Sequence, residues 1–402
     1  MDLNKQVEIL TQGVVDLKPG GTEALKELLQ KSQEENRPLR IKLGIDPTSS
    51  DLHLGHMVCI NKLKAFQDFG HTAVLLIGGY TAQVGDPSGR NETRPPLSAE
   101  DVNNYAKTYL DQVAKVLDMN KTEVVNNADW FNKFSMTDMI ALAAKVTVNQ
   151  MIAKDAFGKR LDAGQPLYAH EIIYPLLQGY DSVEIKADIE LGGTDQLFNL
   201  MVGRDLQKNY EQKQQLAMTM PLLVGLDGSK KMSKSYQNYI GINDSFDDIY
   251  GKTMSIPDEL IVDYYTLAAQ ALPEEVEQVK SKLDSGENPR NIKGELAQKI
   301  VSIYYDEQKA KQASENFVNQ FKKNEIPDDI PETLVSDKVR VIDLLAQAKL
   351  CASKGEAKRL IAGGGVKLAG DKVEDPNYEI NPESDAQKVL QVGKRKFVKL
   401  VS

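Results

Sequence analysis

The sequence predicts an α/β fold with a parallel sheet, followed by a helical region and a small α+β tail. Three observations carry that reading. LRIKLGI (39–45) and HTAVLLIGG (71–79) are short apolar, β-branched runs of strand length. Between them, LHLGHMVCINKLKAFQDF (52–69) places apolar residues at helical spacing and stops at Gly70. Strand, helix and strand in that order make a crossover unit, which pairs its strands in parallel. The third observation is a change of charge: residues 338–402 hold 13 Lys+Arg against 8 Asp+Glu, and the remainder holds 36 against 50.

Taken in order, residues 22–36 read as a charged amphipathic helix closed near Asn36–Pro38. The continuous apolar run at 71–79 marks a strand buried on both faces. Ligands in open α/β sheets bind beyond the carboxyl ends of the strands, so the residues after Ile45 and Ile77 are candidates. Residues 98–180 read as mostly helical, with Ser98 and Ser135 as caps. SVEIKADIE (182–190) returns to strand alternation before GGTDQ (192–196), and a glycine- and lysine-bearing loop follows at 225–235. A series of amphipathic helices is expected over 244–323. EIPDDIPETLVSD (325–337) reads as a linker, with helices at 340–350 and 354–362 and a hairpin in GGGVKLAGDKV beyond it.

Composition narrows the class. A chain of 402 residues suffices for two or three domains, and 41% apolar with 27% charged residues fits a globular protein. A net charge of −9 argues against broad affinity for nucleic acid, whereas a basic tail suits an anion met at selected places; solvated faces are the plain alternative. TAVLLIGGY (72–80) is too short to span a bilayer, and MDLNKQVEIL lacks the pattern of a secretory leader, so no membrane association is expected. Cys59 and Cys351 are isolated, with no metal-ligand or redox spacing, which predicts a reducing, cytoplasmic setting and no protein-held metal.

Two of the four histidines, His53 and His56, fall in GIDPTSSDLHLGH (44–56), at the start of the expected helix. A helix N-terminus presents unpaired N–H groups to anions, the imidazoles can donate to phosphate, and Gly55 allows a flat base to approach. Two capping histidines are the other reading. In GSKKMSKS (228–235), Lys231 and Lys234 are mobile ammonium groups able to follow a polyphosphate, or else parts of a lysine-rich surface loop.

HLGH followed by KMSKS (231–235) on an α/β scaffold resembles the class I aminoacyl-tRNA synthetases, and GDPSGR (85–90), YPLLQGYD (174–181) and GGTDQ (192–196) between them resemble the tyrosyl branch of that family. The resemblance covers nearly the whole chain. It implies a Rossmann-like nucleotide-binding catalytic domain over 1–225 with a helical insertion at about 98–180. A KMSKS loop and anticodon-side helical domain over 226–330, a linker over 331–337 and an S4-like RNA-binding domain over 338–402 would follow. The activity implied is that of a tyrosine–tRNA ligase, with ATP as substrate, Mg²⁺ on its phosphates, L-tyrosine and tRNA(Tyr) as partners, and a homodimer.

By the same resemblance Thr48, His53, His56, Lys231 and Lys234 would serve the phosphates, with Gly44, Gly55, Gly193 and Asp195 at the rest of ATP. Asp86, Tyr174 and Gln178 would hold the tyrosine ammonium, Asp181 would accept from the phenol and Gln196 would complete the pocket. Asp86 also reads as the cap of a GDPSG turn, and Asp181 as an exposed helix-end acid. Lys354, Lys358 and Arg359 in SKGEAKRLIAGGGVKLAG (353–370) would face tRNA phosphates, or form a solvated basic helix. The apolar helical insertion at 136–180, including MIALAAKVTVNQMIA (139–153), suits a dimer face or a buried core helix equally. The chain departs from many relatives at Lys42, where they carry a substrate-binding tyrosine, and at Leu43 and Cys59 near the ribose. The alternatives are tryptophanyl-tRNA synthetase, a noncatalytic RNA-binding paralogue, and a small-cofactor nucleotidyltransferase.

Overall fold

A computed structural model of the chain describes residues 2–88, 97–153, 155–322, 330–348, 350–351, 353–393 and 396–401. Gly89 and Arg90 of the GDPSGR string, and residues 325–329 of the expected linker, lie outside the described residues. The chain divides into two compact units, Met1–Phe317 and Val318–Ser402.

The first unit is built on a six-stranded sheet: β1 (Asp16–Lys18), β2 (Arg40–Ile45), β3 (Thr72–Ile77), β4 (Thr122–Asn126), β5 (Ile189–Gly193) and β6 (Leu216–Met220). The spatial order is β1-β6-β5-β2-β3-β4. All neighbours are parallel except the edge pair β1/β6. The expected crossover is present: β2 leads through the helix Leu54–Asp68, termed the histidine helix, into β3. Beyond Thr72, strand β3 is continuously apolar and Ala73–Ile77 are all buried, the pattern of a strand covered on both faces. The strand order reverses between β2 and β5, which makes that boundary the switch point of the sheet.

Ser98 and Ser135 cap the helices Ala99–Val113 and Met136–Ala143, accepting from the N–H of Asp101 and Asp138 at 3.1 and 3.2 Å. The stretch 98–180 is otherwise less uniform than expected, because β4 lies within it as a sheet edge. One hydrophobic core runs from Val7 to Ala313, and helices such as Phe246–Met254 and Pro289–Tyr304 pack into it. Among the described residues that core continues across 225–226, with Leu223, Met232 and Ile240 in it. A smaller core joins Leu142 and Met151 to Leu176, Val183, Val202 and Leu206, while Met136, Ile140 and Val148 stay exposed. The 139–153 segment thus has one buried and one open face.

The second unit holds helices Val341–Gln347 and Lys354–Ala362 and a five-stranded sheet that includes the expected hairpin, Val366–Leu368 with Asp371–Lys372. Part of the expected 331–337 linker belongs to this sheet: Glu332–Leu334 pairs in parallel with Lys396–Val401. A neighbouring strand satisfies the backbone that proline and acidic composition had suggested was solvated.

Candidate active site

A cavity of about 280 Å³ opens at the carboxyl ends of β2, β3 and β5, at the switch point of the sheet. Its lining includes Gly44, Thr48, Gly55, His56, Asp86, Tyr174, Gln178, Asp181, Gly193, Asp195 and Gln196, together with Leu43 and Cys59. The two glycines after β3 make room for its far wall. A Cβ on Gly78 would fall 1.9 Å from Asp46 Oδ1, and one on Gly79 would fall 2.1 Å from Asn126 Oδ1.

At one side of the cavity stands the histidine helix. His53 occupies its N-cap position in extended conformation (φ −132°, ψ 168°), and its N–H donates to His56 Nδ1 at 3.2 Å. The two rings lie 3.8 Å apart. His53 is thus a cap and also a buried ring. Burial, then the charge of Lys234, push its pKa down to about 4, so the imidazole is neutral at pH 7. Its Nδ1 is buried without a hydrogen-bond partner, an orphan that a ligand or water would answer.

The KMSKS segment is drawn to this point by backbone pairing. Leu54 N–H donates to Ile240 O (3.0 Å) and Ile242 N–H to Leu52 O (3.2 Å). Met232 is buried, its Cβ 3.5 Å from where a Cβ on Gly55 would lie. Lys234 Nζ donates to Ser49 Oγ (3.2 Å) and stands 3.6 Å from Asp51. Lys231 is exposed on the same loop. None of His53, Lys231 and Lys234 is part of the cavity lining; His53 and Lys234 stand beside it through His56 and Ser49, and among the described residues nothing ties Lys231 to it directly.

The deeper side is a polar network on the helix Ala169–Glu184, termed the pocket helix. Asp181 is 2% exposed, not the open helix-end acid that its sequence position allowed. Trp130 Nε1–H donates to its Oδ1 (3.1 Å) and Asn127 Nδ2–H to its Oδ2 (3.2 Å). Burial raises its pKa to about 7, and Lys42, Asn127 and Trp130 pull the other way. Tyr174 O–H donates to Asp46 Oδ2 (2.8 Å), and burial pushes its pKa well above 10.

Asp86 caps the GDPSG turn and also lines the cavity. Its Oδ1 accepts from Ser88 N–H (2.8 Å) in a turn, and its Oδ2 accepts from Gln196 Nε2 (2.8 Å). Asn199 Nδ2 links Gln196 Oε1 (3.0 Å) to Gln178 Oε1 (2.9 Å). Sequence reasoning missed Asp46, Asn127, Trp130 and Asn199. Asp46 sits inside the quoted histidine string, but nothing local marks the other three.

In the second unit Lys354, Lys358 and Arg359 are all exposed on the helix Lys354–Ala362. Lys354 stands 2.6 Å from Asp343, so part of its charge is already answered.

The model of "tRNA synthetases class I (W and Y)" matches residues 33–322, and that of the "Tyrosine--tRNA ligase SYY-like C-terminal domain" matches 322–400. The chain is 50% identical to a tyrosine–tRNA ligase of Mannheimia succiniciproducens over 388 residues, covering 96% of this chain and 98% of that protein. It is 48% identical to a tyrosine–tRNA ligase of Thermotoga maritima over 401 residues, covering 100% and 98%. In fold it is similar to a mitochondrial tyrosyl-tRNA synthetase of Aspergillus nidulans, with a TM-score of 0.65 at 20% identity over 78% of this chain and 93% of that one. The tyrosyl-tRNA synthetase of Archaeoglobus fulgidus, solved with L-tyrosine, gives 0.61 at 20% identity over 78% and 100%. A switch-point cavity beside paired histidines and a KMSKS loop is thus found in a chain that matches one family along its length, and the chain belongs to the class I tRNA synthetases of the tryptophan and tyrosine group.

Proposed function

We infer that this chain is a tyrosine–tRNA ligase. A carboxylate oxygen of tyrosine attacks the α-phosphorus of ATP, the bond to the bridging oxygen breaks, and pyrophosphate leaves. A 3′-terminal ribose hydroxyl of tRNA then attacks the carbonyl carbon of tyrosyl-adenylate, and AMP leaves. Neither step needs covalent help from protein; both need alignment and positive charge where negative charge builds.

The observation that carries the reading is Asp181. It is a buried carboxylate with a fixed donor on each oxygen, in the same cavity as His56 and Thr48. Each oxygen keeps a second lone pair, so the site accepts from a phenol and leaves polar groups unmatched when phenylalanine enters. Tyrosyl-tRNA synthetases are themselves the usual illustration of that asymmetry. Asp86, Tyr174 and Gln178, with Gln196 beside them, are assigned to the ammonium; hydrogen bonds through Gln196 and Asn199 link Asp86 to Gln178, and Tyr174 is held apart from them by Asp46. Thr48, His53, His56, Lys231 and Lys234 are assigned to the phosphates, and Gly44, Gly55, Gly193 and Asp195 to the nucleoside.

The donors at the phosphate end are ammonium and imidazole groups, which suit phosphate oxygens and not a cation. Mg²⁺ is therefore assigned to the phosphates and water. Catalysis is assigned to 1–225 and the anticodon-side helices to 226–330; RNA binding through Lys354, Lys358 and Arg359 is assigned to 338–402 together with the Glu332–Leu334 strand that completes its sheet. A homodimer is proposed on the exposed Met136, Ile140 and Val148. A cytoplasmic setting is proposed on the isolated free thiols of Cys59 and Cys351.

The test is amino-acid-dependent exchange of labelled pyrophosphate into ATP with tyrosine, phenylalanine and tryptophan. Tyrosine alone should support it. Equal or better exchange with tryptophan would overturn the reading in favour of the other branch of the group.

A further inference from the structure

The floor of the tyrosine site holds an ion pair to which the reading above gives no role. Lys42 and Glu190 are register partners on β2 and β5, and their side chains are 0% and 1% exposed. Lys42 Nζ stands 2.9 Å from Glu190 Oε1 and donates to Gln178 O and to Ser182 Oγ, each at 2.8 Å. An ammonium has three hydrogens, and these partners use all three. Lys42 borders the cavity but has no donor left for substrate, so it acts through its neighbours. Two of those neighbours bracket Asp181 on the pocket helix.

Glu190 is as fully engaged. Its Oε2 accepts from Ser182 Oγ–H (2.9 Å) and Gln215 Nε2 (2.5 Å), and its Oε1 also accepts from Gln178 Nε2 (3.3 Å). The space is tight. A Cβ on Gly203 would lie 2.9 Å from Gln215 Nε2 and 3.2 Å from both Glu190 Oε2 and Ser182 Oγ. Gln178 is therefore gripped twice, by its carbonyl on Lys42 and by its amide nitrogen on Glu190. Its Oε1 faces the other way and accepts from Asn199 Nδ2. A flipped amide would set oxygen against the Glu190 carboxylate and NH₂ against the Asn199 donor, so one orientation is selected.

We propose that the Lys42–Glu190 pair is a positioning element of the tyrosine site, fixing Gln178 with its amide oxygen toward the substrate ammonium. This rests on the tyrosine–tRNA ligase reading. An amide oxygen attracts an ammonium and an amide NH₂ repels it, so a fixed orientation converts Gln178 from a neutral wall into a selector for the α-amino group.

The test removes the pair as a unit, since stripping one partner would strand a buried charge. The double variant Lys42→Met/Glu190→Gln keeps size and loses both charges. Dissociation constants would be read from the fluorescence of Trp130, the single tryptophan, whose indole touches Asp181. Two ligands are compared: tyrosine and 3-(4-hydroxyphenyl)propionate, which keeps the phenol and lacks the ammonium. The expected result is about tenfold weaker tyrosine binding with the deamino ligand and the KM for ATP unchanged. Unchanged tyrosine binding, or equal loss for both ligands, would overturn the proposal, the latter by showing a purely structural role. Should the double variant not fold, Ser182→Ala trims one hydroxyl shared by both charges, and the same split of about threefold is required. Wild-type protein without tyrosine-dependent exchange would instead overturn the ligase reading; wild-type exchange with unmoved variants would sink only this inference.

Discussion

Asp181→Asn is the substitution that most directly tests the pocket. It removes a charge and keeps the shape. In the wild-type site, Trp130 and Asn127 both donate to the carboxylate. Asn127 cannot turn to accept, because its own Oδ1 holds the N–H of Tyr80 at 2.8 Å. The NH₂ of the variant must then face a donor or the phenol. Loss of a hydrogen bond to a charged group costs about 1.5–3 kcal/mol, or roughly 10- to 150-fold in kcat/KM for tyrosine. Phenylalanine moves the opposite way, because its binding no longer strands a buried carboxylate.

The tyrosine-to-phenylalanine preference in pyrophosphate exchange should therefore fall by at least about tenfold. It should also lose its pH dependence. With Asp181 pushed up to about 7 by burial, the wild-type preference should decline as pH drops through that value and the acceptor gains a proton. The charged groups bearing on it are Lys42, which opposes protonation, and Glu190, which favours it; Asn127 and Trp130 also favour the ionised form. The kcat/KM profile is the right readout because it reports the free enzyme. A preference ratio that is unchanged in the variant, or a wild-type ratio that is flat from pH 5 to 9, would refute the assignment of Asp181 to the phenol.

Three further outcomes are expected. Lys234→Ala should lower kcat of exchange about 100-fold while tyrosine affinity by Trp130 fluorescence stays constant, as befits a group acting on developing charge; an equal loss in affinity would contradict that role. Gly78→Ala should force Asp46 aside, since its Cβ would meet Oδ1 at 1.9 Å and disturb the bond from Tyr174. A cost of about 1–3 kcal/mol in thermal or denaturant unfolding, with a raised KM for tyrosine, is the result to look for. Removing residues 330–402, which takes the Glu332–Leu334 strand with its sheet, should leave tyrosine-dependent exchange intact and cripple tRNA charging. Within that unit, Lys358→Ala with Arg359→Ala should weaken tRNA binding and flatten its salt dependence.

The sequence alone determined what depends on neighbours along the chain. The β2–helix–β3 unit is legible because apolar period and length separate strand from helix over a few residues. Ser98 and Ser135 are legible because a cap and its acceptor lie three residues apart. The five family strings are legible because each is a contiguous run of residues, readable without knowing what lies beside it in space.

Tertiary structure decided the rest. Strand β4 is short and only partly buried, and pairing with β3 makes it a strand. Glu332–Leu334 reads as linker until a partner strand more than sixty positions away accepts it. Asp181 is buried, and the donors that satisfy it, Asn127 and Trp130, arrive from beyond β4. Lys42 in LRIKLGI carries no sign that it will be the least exposed lysine in the site. A lysine in a strand is a solvated charge by default, and the carboxylate that reverses this comes from β5, far along the chain. Desolvation and pairing depend on distance in space, and no local pattern of residue types encodes that distance.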